Sequence, residues 1–161
     1  MASKTRAWSQ PALPSPKRMK VSKLTDTLLD YFVAQAEKVD VQIGGPHRNG
    51  SFYCVVNYSY DDELNQFEGR HYCPSSHDSD GGPLLLKHEI STFKYLRGWG
   101  AAMSVCNLDK DQDGTICSTI LDADTIEGDT PLIAGMRALV QSQFGEVVEI
   151  PADVMLKLKL T

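Results

Sequence analysis

The stretch from Thr130 to Pro151 limits the choice of fold more than any other part of the chain. A threonine before a helix offers its hydroxyl oxygen to an unpaired amide of the first turn. Pro131 follows at the one helical position where a missing N–H costs nothing, and Gly145 suits the left-handed backbone just past a helix end. Between them Ile133, Met136, Leu139, Val140 and Phe144 recur at helical spacing. The spacing predicts a helix over 131–144. Val147, Val148 and Ile150 then form a strand, stopped by Pro151. Gly135 inside the helix is unfavourable by about 0.5–1 kcal/mol against alanine, and close packing of the helix on a sheet accounts for it. A helix and strand this close together call for a layered fold.

The remaining pattern fits that frame. Leu28, Leu29, Phe32, Val33 and Ala36 predict a helix at 25–38, with Thr25 as cap and Asp26 in the first turn. Val39, Val41 and Ile43 alternate as a strand, and Phe52 to Tyr60 is its hairpin partner across the His47-Arg48-Asn49-Gly50 turn. Residues 61–82 read as a long polar surface loop, and Pro83 as the first residue of a short helix reaching Ile90. Phe93 to Leu96, Ala101 to Cys106 and Ile116 to Leu121 read as short strands, the first two separated by Gly98-Trp99-Gly100. Residues 152–160 form a short helix or strand. The fold class expected is α+β: a single small α/β sandwich over residues 19–161, with one sheet flanked by helices.

Residues 1–18 stand apart. Pro11, Pro14 and Pro16 alternate with small and basic residues, which predicts an extended or disordered arm. It either touches an acidic partner or nucleic acid or is a solvated extension, with Met19 as an alternative start. Residues 1–20 hold five basic residues and no acid, while the other eleven basic residues face twenty-one acids. The net charge of −5 therefore averages a basic arm and an acidic body. That body makes direct nucleic-acid binding unfavourable. No apolar run approaches the roughly 20 residues of a membrane span. Cys54, Cys73, Cys106 and Cys117 form no CxxC pair and no secretory signal precedes them, so free thiols are expected.

Four clusters have chemical interest. Asp109 to Gly114 matches the first half of a calcium loop, but Ile120 stands where its bidentate glutamate belongs, so an acidic turn is the plainer reading. His71, Cys73, His77 and His88 are zinc-capable but match no standard ligand spacing, and no metal is assigned. The His71–Asp80 loop holds hydrolase residue types without a GxSxG elbow. A binding reading fits that loop better. Ser75, Ser76, His77, Asp78, Gly81 and Gly82 precede the helix start expected at Pro83, whose open amides suit an anion. Arg137 lies off the apolar stripe of the 131–144 helix. It would join this site, as a bidentate cation, if the 71–83 loop folds over it. No cofactor motif is present.

Lys20 to Thr25 with its helix resembles the start of the small NinX-like bacteriophage proteins. Thr130 to Ala138, running into Phe144 to Pro151, resembles their C-terminal part. Tyr72 to Pro83 resembles their Pro-Ser loop ending in Gly-Gly-Pro. The resemblance covers about residues 19–155; the segment 104–129 departs from it. It implies a "phage ABA sandwich" fold in the host cytoplasm and brings no catalytic residues. The function expected is that of an accessory protein, in host takeover or anti-defence, that binds or sequesters a host or defence component or a small anionic, nucleotide-like ligand. A small hydrolase and a structural or regulatory phage protein are the alternatives, and a homo-oligomer is compatible with each.

Overall fold

A computed structural model describes residues 15–61, 66–95, 98–103, 108–110, 116–118 and 125–160. Helix α3 (Pro131–Phe144) is the element the others gather round. Thr130 Oγ1 accepts the Ile133 amide at 3.1 Å, Pro131 opens the helix, and Gly145 closes it with φ +82°. Leu132 and every residue from Ala134 to Val140 are buried. A helix buried on so many faces needs cover from several sides. Three groups supply it: α1 (Asp26–Ala36), α2 (Asp78–Lys87), and the sheet of β5 (Ile90–Tyr95), β6 (Gly98–Met103) and β9 (Ile126–Gly128).

The α+β class stands, but the strands are shared among several small sheets rather than gathered in one. β5, β6 and β9 form one antiparallel sheet. A second joins β2 (Val41–Gly44), β3 (Tyr53–Asp61) and β4 (Gln66–Tyr72), also antiparallel. β1 (Lys17–Lys20) pairs with β10 (Val147–Ile150), Lys17 opposite Ile150. β7 (Leu108–Lys110) pairs with β8 (Ile116–Ser118). Helix α4 (Ala152–Leu158) follows β10. The expected arm thus loses Lys17 and Arg18 to a strand of the fold. Residues 1–14 lie outside the described residues, as does the Asp109–Gly114 turn beyond its first two residues.

Two expectations for residues 61–90 are corrected. The loop expected over 61–82 contains β4, an edge strand whose Gly69, Arg70 and His71 face solvent while Tyr72 is buried. Such a strand shows no apolar alternation to read. A bulge at Asn57, with φ +51°, shifts the β3–β4 register by one residue. Helix α2 starts five residues before Pro83, which sits inside it. Asp78 and Asp80 in the first turn suit the helix dipole, and that signal outweighs the Gly-Gly-Pro punctuation.

The core runs from Val21 and Leu24 through Leu29 and Val33 of α1 to Met136, Leu139 and Val140 of α3 and Ile150 of β10. Two close approaches set its spacing. A methyl group on Gly135 would meet Leu85 Cδ2 at 2.3 Å, so this glycine admits an α2 side chain more than the sheet. One on Gly128 would lie 2.4 Å from the Ala134 amide nitrogen, which is backbone and cannot rotate away. Gly128→Ala should therefore cost about 2–3 kcal/mol, read as a lower denaturation midpoint at unchanged slope. A variant as stable as the parent would show that β9 is not pressed against α3.

Candidate functional site

The expected site residues fall in two separate places. Ser75 and Ser76 lie in a turn closed by the Ser76 and His77 amides on the Cys73 carbonyl, at 3.0 and 2.8 Å. His77 is the N-cap of α2 and Asp78 its first residue. Ser75 is 4% exposed, and its amide donates to Asp30 Oδ1 of α1 at 2.8 Å. The Asp80 carboxylate accepts the Cys73 amide at 2.9 Å and pairs with Arg70. Burial works to raise the Asp80 carboxyl, but the Cys73 amide and Arg70 outweigh it and hold it below its usual range.

This geometry removes the anion cradle expected at Gly81-Gly82. The Gly81 amide is spent on the His77 carbonyl at 2.9 Å, inside the helix. A methyl group on Gly81 would stand 2.2 Å from the Pro74 carbonyl oxygen, so its missing side chain serves packing. Gly82 has open space around it. Asp26 and Asp80 both act on the buried Asp30, so the neighbourhood is acidic and disfavours an anion.

A cavity of roughly 530 Å³ lies beside the turn, lined by Asp26, Asp30, Phe52, Tyr53, Cys73 and Ser76 among others. Ser76 Oγ is 3.2 Å from His77 Nδ1, a hydrolase-like contact. Among the described residues no carboxylate hydrogen-bonds His77, so no third group orients the pair. The zinc-capable residues disperse: His71 stacks on Tyr53, ring centroids 4.4 Å apart, and His88 contacts Glu37. Burial raises the Glu37 carboxyl, but Lys87 and His88 outweigh it and lower its pKa. Among the described residues no group of three metal-ligating side chains converges. Cys54 and Cys73 are unpaired thiols, both raised chiefly by burial.

Arg137 joins a different cavity. It is 9% exposed rather than solvated, and its hydrogen bonds go to main-chain carbonyls, none within 71–83. Nε and Nη2 donate to the Leu24 oxygen at 3.0 and 2.9 Å, and Nη1 to the Glu127 oxygen at 2.7 Å. Burial pulls its pKa below the ordinary arginine value, opposed by nearby Asp129; an arginine stays charged regardless. The surrounding cavity, roughly 760 Å³, is lined by Ser22, Lys23, Gly98, Glu127, Gly128, Asp129 and Arg137.

Asp30, Lys23 and Asp129 were not read from the sequence as site residues. The available signal for Asp30 was an acid at helical spacing with the buried Val33 and Ala34. Burial pushes its carboxyl up to about 6 against two hydrogen bonds from Ser75, and repulsion from Asp26 and Asp80 adds to the rise. Between an unfolded value near 3.8 and about 6, the folded protein holds a proton that the unfolded chain has released. This group's contribution to stability therefore grows as pH falls through 6 towards 4. Asp30→Asn keeps an oxygen for the Ser75 amide. The stability of the parent minus that of Asp30→Asn should rise by roughly 3 kcal/mol across that window, measured by denaturant titration at several pH values. A flat or reversed difference would show that Asp30 is not held as a raised carboxyl.

Among the described residues no helix is long and apolar enough to cross a membrane. No curated protein matches the chain. The family model described as "Bacteriophage P22, NinX" matches residues 20–143, from β1 through all but the last residue of α3. Phe144 to Pro151, part of the resemblance noted above, lies beyond that match. With most of its length matched, including every residue that lines the second cavity, the chain belongs to the NinX family of bacteriophage proteins.

Proposed function

We propose that this phage protein is an accessory factor that acts by binding, and that its ligand is a small anion held in the Arg137 cavity. One observation carries the reading: a buried guanidinium whose hydrogen bonds, among the described residues, all end on uncharged carbonyls. A guanidinium has five N–H groups; among the described residues three find acceptors, and Arg137 lines a cavity. Buried charges are ordinarily paired. Here no described carboxylate hydrogen-bonds the cation, and Lys23 adds a second positive charge to a wall that also carries Glu127 and Asp129. The cavity is of a size that takes a nucleotide-like molecule. Sequestration of such a molecule from the host or its defences is the form this takes in a phage protein. The Ser76–His77 contact favours a second reading, a small hydrolase, for which no group among the described residues orients the histidine.

Native mass spectrometry of protein purified from cells should show a co-purifying anion. Calorimetry with inorganic phosphate and a nucleoside monophosphate then tests the site. Lys23→Gln should weaken binding by about 1 kcal/mol, roughly fivefold. Asp129→Asn should strengthen it to a similar degree, because Asp129 competes with the ligand for the cation. No binding by the parent protein, or affinity indifferent to both changes, would overturn the reading.

A further inference from the structure

The cavity beside the 73–77 turn has the opposite chemistry and is independent of the anion site. Asp30 is 5% exposed and lies in its wall. Its described donors are the amide and hydroxyl of Ser75. An ionised carboxylate offers about four acceptor positions, so Ser75 does not exhaust it. Among the described residues Asp30 forms no ion pair; Lys23 lines the same cavity without reaching it. Asp26 adds negative potential at Asp30, as does Asp80, whose own charge is paired with Arg70. The rest of the wall is largely apolar, with Met19, Leu28, Phe52 and Tyr53 among its residues. Aromatic side chains suit a cation as well as an alkyl stem.

We propose that this cavity binds a small primary alkylamine, its ammonium group on Asp30 and its stem against the apolar wall. The buried carboxylate supplies the charge, the Ser76 hydroxyl at the margin a further acceptor, and the acidic surroundings exclude anions. Specificity rests on one charge and one length of hydrocarbon, so a neutral molecule of the same shape gains only the apolar part.

The test uses n-butylamine as probe and n-butanol as neutral control, with the full chain and calorimetry as readout. Butylammonium should bind at least about tenfold more tightly than butanol. Asp30→Asn should lose at least about tenfold in affinity for the amine while its phosphate affinity at the Arg137 cavity is unchanged. Should Asp30→Asn fail to fold, Ser76→Trp serves instead: an exposed position, filled to block the cavity with Asp30 intact, and it should abolish amine binding in a folded protein. Failure of the parent to bind butylamine, equal binding of butanol, or full amine affinity in the folded variants would each overturn the proposal. Loss of amine binding with phosphate binding retained, or the reverse, tells the two sites apart.

Discussion

The guanidinium of Arg137 holds three parts of the chain at one point. It lies on α3, and it binds the carbonyl of Leu24 before α1 and that of Glu127 in β9. Hydrogen bonds to a charged group are worth roughly 1.5–3 kcal/mol each in a buried setting. Removing the side chain would leave two carbonyls unsatisfied as well as a void. The choice of neutral partners matters as much as their number: carbonyls fix the position of the cation without cancelling its charge. The group can therefore be structural and still hold charge in reserve for a ligand.

The legible parts of the sequence are those where local chemistry and burial agree. Thr130, Pro131 and Gly145 mark α3 to the residue, and Val147 to Ile150 mark β10. The α1 helix and the β2–β3 hairpin follow from apolar periodicity. The failures lie where those two sources disagree. β4 is an edge strand with a polar surface, so it reads as loop. In α2, Gly81 is required because Pro74 and Leu132 press on the helix there, a tertiary fact that looks like a turn in one dimension, while Gly82 has open space around it. Arg137 was legible as a candidate cation, but Leu24, which takes two of its hydrogen bonds, lies 113 residues away along the chain, and no local pattern records it. Asp30 was hidden for the same reason: its partner is Ser75, forty-five residues on.

Asp30 and Arg137 together describe how this domain treats charge. A buried acid and a buried base would stabilise each other if adjacent. Instead each is satisfied by main-chain or hydroxyl groups and faces its own cavity, with Lys23 in the wall of both. The arrangement sacrifices stability, most plainly at Asp30, whose carboxyl is held up by burial. Groups kept at such cost are ordinarily kept for contact with something outside the chain.

The pairing of β1 with β10 has a consequence for how the molecule is made. Lys17 lies against Ile150, and Leu24 is held by Arg137. Both partners of this segment lie more than a hundred residues further along the chain. While the ribosome is still producing the middle strands, Val21 and Leu24, fully buried in the finished protein, have nowhere to go. Closing so long a loop is slow compared with forming α1 or the β2–β3 hairpin. The fold should therefore close in one late step, after β10 emerges, and the early chain is exposed to other partners until then.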